Sequence, residues 1–91
     1  MRWETVVKRK NMRDVYKRFI DEIIEESTRP LYAREILSEL WDKINKYRAS
    51  QDRFISNRDY PQISAVVQYL QVNYIPADYK SGSVLWGWKR R

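Results

Sequence analysis

The chain contains no histidine and no cysteine. That removes the commonest general base, the commonest zinc ligand, the serine-hydrolase triad, thiolate metal sites and any disulfide framework. Catalysis is left to carboxylates, lysine or tyrosine. The expectation is therefore a protein that is not an enzyme and uses neither cofactor nor metal. Carboxylates do crowd one stretch, at Asp21, Glu22, Glu25 and Glu26. A pair of them on Mg²⁺ would call for a nucleotide or phosphate site close by, and nothing near them reads as one. The more telling chemistry lies in residues 59–70, DYPQISAVVQYL. Ile63, Val66, Val67 and Leu70 fall at helical spacing and form one apolar stripe. The other side carries Pro61, Ser64, Ala65 and Gln68. It is small or uncharged in a chain that is 33% charged. A charged face would read phosphates, whereas an amide-and-methyl face can read base edges. Gln68 can make two hydrogen bonds to an adenine edge, and Ala65 can meet a thymine methyl. The plain alternative is a generic polar surface, on which glutamine is common.

The elements that would hold this helix can be read along the chain. A first helix is expected over about residues 11–27, with Asn11 as N-cap and Asp14 three residues on. Met12, Val15, Tyr16, Phe19, Ile20, Ile23 and Ile24 repeat at three and four and predict its core face. The carboxylates at its C-terminal half oppose the helix dipole. They either pair with basic side chains of a neighbouring element or form a solvated face turned away from a polyanion, and the solvated face is the expectation. Pro30 closes that region, and residues 28–32 read as a short extended connector. A second helix is predicted over about 33–47, with Ile36, Leu37, Leu40, Trp41 and Ile44 inward and a Glu39–Lys43 pair outside. Residues 48–58, RASQDRFISNR, read as an irregular connection pinned by Phe54 and Ile55. The third helix spans about 60–73, with Asp59 as N-cap and Pro61 in its first turn. Tyr74 continues its inward stripe. Alternation in NYIPADYKSGSVLWGW then predicts a hairpin over about 74–88, with strands 74–77 and 83–88 and a turn over 78–82. Pro76 belongs on an edge strand, because it cannot donate to a ladder.

Ninety-one residues make one domain, read as a basic arm over 1–10 followed by a single folded unit over 11–91. Glycine and proline are few, so linkers and low-complexity segments are not indicated. Apolar runs are too short to span a membrane, no secretory signal is visible, and the expected location is intracellular. The net charge is +6 and the sequence pI is near 9.7. The excess sits at the two ends. Arg2, Lys8, Arg9, Lys10 and Arg13 form a basic arm at the start. Lys80, Lys89, Arg90 and Arg91 lie at the other end, with the acidic first helix between. Such unevenness is the electrostatic footprint of a polyanion binder, although it also serves solubility.

The order is helix, short extended piece, helix, connection, helix, hairpin. With PLYAREIL at 30–37 leading into the second helix and ISAVVQYL at 63–70 as a candidate recognition helix, it resembles the winged-helix superfamily of helix-turn-helix proteins. The resemblance covers about residues 11–89. The connection between the second and third helices is longer than the compact turn of that superfamily. The fold implied is mainly α with a small β-hairpin (α+β): three helices and a C-terminal wing. The function implied is binding of double-stranded DNA, with the third helix in the major groove and the wing on backbone or minor groove.

On that reading the base contacts come from Gln62, Ser64, Ala65, Gln68 and Tyr69. Asn57, Arg58, Tyr79, Lys80, Ser81, Ser83, Lys89, Arg90 and Arg91 meet backbone or minor groove, and the basic arm adds further phosphate contacts. Binding should then weaken steeply with salt, as counterion release requires. The role expected is that of a transcriptional regulator. Trp3, Val6 and Val7 are apolar without an evident partner within the chain, which leaves room for a homodimer. Among the other tryptophans, Trp41 and Trp86 are expected in the core, while Trp3 and Trp88 stay open. Two alternatives remain. One is binding of RNA or single-stranded DNA through the aromatic, basic hairpin. The other is a winged-helix protein–protein adaptor.

Overall fold

Ile36, Leu40, Ile44 and Arg48 recur at every fourth position and are all buried. They build one face of the central helix around which the rest of the chain packs. The computed structural model describes residues 12–50 and 60–91. In chain order these form α1 (Asp14–Glu26), β1 (Leu31–Tyr32), α2 (Ala33–Ser50), α3 (Ile63–Asn73), β2 (Tyr74–Lys80) and β3 (Ser83–Arg90). The fold is α+β: the described residues form three helices and one three-stranded antiparallel sheet ordered β1-β3-β2.

The periodic apolar residues do what their spacing predicts in α1, where Tyr16, Ile20, Ile23 and Ile24 are buried against α2. The helix starts at Asp14, three residues later than expected, with Arg13 in an extended conformation as N-cap. Asn11, the expected cap, lies outside the described residues. Asp14 in the first turn complements the dipole. The extended connector closes into β1, where Leu31 pairs with Trp86 and Tyr32 with Leu85. Glu35 fixes the junction into α2. It accepts the Tyr32 backbone N–H at 2.8 Å and a forked pair of bonds from Arg29 at 3.2 and 2.8 Å. The Arg29 bond first, and the Tyr32 N–H second, hold the Glu35 carboxyl below its ordinary range. Helix α2 runs on to Ser50 rather than stopping at 47. Arg48 extends its buried stripe and donates to the Tyr16 hydroxyl at 3.1 Å. Phe54, Ile55 and the proposed Asp59 cap lie outside the described residues.

The acidic half of α1 corrects the expectation of a solvated face. Asp21 meets Arg90 of β3 at 3.0 Å, and Lys43 of α2 lies 3.6 Å from Glu22 and 3.8 Å from Glu26. The reason is the α1–α2 packing, which lays Lys43 between two carboxylates one helical turn apart. The expected Glu39–Lys43 pair gives way to this contact. Trp41 is a second correction. It is 38% exposed rather than in the core. One residue past Leu40 on a helix is about 100° round from the buried stripe. Its indole N–H donates to the Pro61 carbonyl at 2.9 Å, and its ring meets Tyr60 edge-on at 5.2 Å. Trp41 thus braces the lead-in to α3.

In the hairpin the strands run longer than expected, and the turn shrinks to Ser81-Gly82. Both have positive φ, 51° and 79°. A two-residue turn with that pair of conformations matches the right-handed twist of its strands. The pairings Lys80–Ser83, Tyr79–Val84 and Asp78–Leu85 follow directly. Pro76 lies on β2, an edge of the sheet, and the register shifts on either side of it. Gly87 faces Ala77 so closely that a Cβ there would sit 3.2 Å from the alanine Cβ. Trp86 is in the core, as expected. Trp88 is half exposed, and its indole N–H donates to the Ser27 carbonyl just past α1.

Candidate nucleic-acid interface

Helix α3 is held from behind by a strict four-residue repeat. Val66, Leu70 and Tyr74 are all buried, and α3 packs against α2 and β2. At 100° per residue, that fixes what must point away. Ser64, Gln68, Gln71 and Val72 are all exposed, at the i, i+4, i+7 and i+8 spacing of one face, with Ala65 half-buried at its flank. The face carries no charge. Between residues 60 and 77 the chain has no charged side chain at all.

Ile63 does not anchor the helix as expected. It is 42% exposed at the first helical position. It points near the direction of Leu70 but lies two turns from it, so the anchoring falls to Val66 and Leu70. Helix α3 starts at Ile63, after Pro61, with Gln62 as the N-cap residue. The Gln62 side chain makes no capping bond, and the residue is exposed beside the first turn.

Tyr69 is turned the other way from Gln68. It is half-buried, and its hydroxyl donates to Asp21 Oδ1 at 2.9 Å. The same oxygen accepts from the Tyr74 hydroxyl at 2.7 Å and lies 3.0 Å from Arg90 Nη1. Arg90 also donates to the Tyr74 hydroxyl at 3.2 Å and stacks over that ring at 5.0 Å. Burial first, and the bond to Asp21 second, push both tyrosine hydroxyls to higher pKa. The bond to Asp21 raises that of Arg90. One carboxylate therefore ties α1 to α3 and to both hairpin strands. Sequence reading missed this hub, because its members are far apart along the chain.

The hairpin tip presents Tyr79, Lys80, Ser81 and Ser83, all exposed, and Lys89 is exposed near the end of β3. Asp78 adds one negative charge near the tip and accepts the Tyr79 backbone N–H at 2.7 Å. Arg90 and Arg91 are engaged within the fold rather than forming a loose tail. Arg91 gives its Nε to the Gln71 carbonyl and its backbone N–H to the Asn73 carbonyl, both at 2.9 Å. These bonds satisfy carbonyls that the last turn of α3 leaves open. Of the basic arm, only Arg13 is described; it is exposed, with its guanidinium 5.9 Å from the Tyr16 ring centroid. Arg2, Lys8, Arg9 and Lys10 lie outside the described residues, as do Asn57, Arg58, Trp3, Val6 and Val7.

Among the described residues, no group of three or more Asp or Glu side chains could hold a metal ion, and no helix is long and apolar enough to cross a membrane. Val72, 63% exposed, is the residue of this face that sequence reading overlooked. Its position four residues after Gln68 was the available signal. Comparison with protein-family models, characterised proteins and solved structures returns no match.

Proposed function

We propose that this chain is a winged-helix protein that binds double-stranded DNA, with α3 in the major groove, and acts as a transcriptional regulator. The helix–strand–helix–helix–hairpin order, with β1 beside β3 in the sheet, is compatible with that fold. The observation that carries the reading is the outer face of α3: exposed, uncharged and polar except at Val72, on a helix fixed from behind by Val66 and Leu70. It lies in a chain with a net charge of +6. Amides and hydroxyls there suit base edges, while Lys80, Lys89, Ser81 and Ser83 in the hairpin suit phosphate oxygens. Gln62, Ser64, Ala65 and Gln68 are the base-contact set. Tyr69, engaged by Asp21, becomes a residue that orients the helix.

The test is fluorescence anisotropy with labelled duplex and single-stranded DNA at several salt concentrations. Duplex binding should be tighter than single-strand binding and fall steeply with salt. Lys80→Ala should flatten the salt slope by about one unit without changing sequence preference. Gln68→Ala should alter preference and leave the slope intact. Equal or tighter binding to single strands would favour the aromatic hairpin as the binding surface instead.

A further inference from the structure

We infer that the α3 face selects A·T base pairs from the major-groove side. This deepens the duplex-binding reading above and rests on it. The argument is one of chemical complementarity. In the major groove guanine presents two acceptors, O6 and N7, and is read most often by arginine or lysine. Adenine presents an acceptor beside a donor, which an amide matches in two bonds. Thymine presents a methyl group, which an apolar side chain matches.

The exposed face holds the second set of partners and lacks the first. Gln68 and Gln71 supply amides, Val72 and Ala65 supply apolar contact, and Ser64 is small enough for close approach. No lysine or arginine occurs between residues 60 and 77. Two described cations approach α3, and neither is placed to read guanine. Arg90 is held by Asp21 on the Tyr69 side of the helix. Arg91 is pinned through Nε to the Gln71 carbonyl at the C-terminal end. There its charge suits a phosphate, which would strengthen binding to every sequence alike. Val72, 63% exposed on this face, offers a thymine methyl an apolar partner.

The experiment uses the full chain and four alternating duplexes of equal length: d(AT), d(AU), d(GC) and d(IC), where I is inosine. An I·C pair shows the G·C pattern in the major groove and the A·T pattern in the minor groove. An A·U pair differs from A·T by the thymine methyl. The expected order is d(AT) tightest, d(AU) weaker by about two- to fivefold from the lost methyl contact, and d(IC) and d(GC) together weaker than d(AT) by about tenfold or more. Gln68→Ala should reduce the d(AT)-to-d(GC) ratio by weakening d(AT) binding more than d(GC) binding. Val72→Ala should shrink the gap between d(AT) and d(AU). Arg91→Ala should weaken all four equally. Circular dichroism and urea unfolding of each variant separate these effects from loss of fold.

If d(IC) binds like d(AT) and both exceed d(GC), selection occurs from the minor groove and the inference is overturned, with duplex binding intact. Equal affinity for all four duplexes overturns it in the same way. If none of the four binds at low salt, the duplex-binding reading itself fails.

Discussion

The hydroxyl of Tyr74 donates to Asp21 at 2.7 Å, joining the start of β2 to the middle of α1. Because the same carboxylate oxygen also receives Tyr69 and Arg90, the orientation of α3 and that of the hairpin are set at one point. Asp21→Asn keeps the shape but loses the charge that all three donors share. It should cost about 1.5–3 kcal/mol in urea unfolding, the range for hydrogen bonds to a charged group. A double-mutant cycle of Asp21→Asn with Tyr74→Phe should give a coupling of at least about 0.5 kcal/mol. Additive losses would mean that the two groups are neighbours without mutual support.

Glu35 makes the stability of the β1–α2 junction depend on pH. Its carboxyl is held low, first by Arg29 and then by the Tyr32 N–H. A carboxyl depressed in the folded state stabilises fully above its unfolded value, about 4.3. That stabilisation is lost as pH falls through the lower folded value. Wild type should therefore exceed Glu35→Gln in stability at neutral pH, and the two should converge between about pH 5 and pH 2. Arg29 is well exposed, so solvent screening should keep the difference small. Parallel stability–pH curves would exclude Glu35 as the source.

The Ser81-Gly82 turn predicts a stabilising change. Asparagine tolerates positive φ better than serine and is favoured before glycine in turns of this kind. Ser81→Asn should raise stability by a few tenths of a kcal/mol. Gly82→Ala should lower it by about 1 kcal/mol. The loss there comes from φ alone, since a Cβ at Gly82 meets nothing within 4 Å. Thermal melts of the two single variants, moving in opposite directions, would establish this.

Trp41 offers a test of how α3 is presented. Trp41→Phe keeps an aromatic edge against Tyr60 but removes the donor to the Pro61 carbonyl. The expected cost is about 0.5–1.5 kcal/mol. Amide exchange should quicken at the first turn of α3 more than in β3. Uniform acceleration would show that the tryptophan supports the fold as a whole.

The three described helices, the extended connector and the hairpin were legible in the sequence, because amphipathic period and strand alternation are local properties of the chain. The uncharged face around Ser64 and Gln68 was legible for the same reason, since two buried positions four residues apart dictate what lies opposite. What only the tertiary structure decided was the fate of side chains whose partners are distant. Lys43 left Glu39 for Glu22 and Glu26, Arg90 left the basic tail for Asp21, and Tyr69 turned from the outer face to α1. Ile63 sits in the apolar stripe by angle yet is exposed at the first turn of its helix. Periodicity gives a side chain its direction. Whether a core or a counter-charge waits in that direction depends on how the helices and sheet pack, and one residue's spacing to the next carries no record of that.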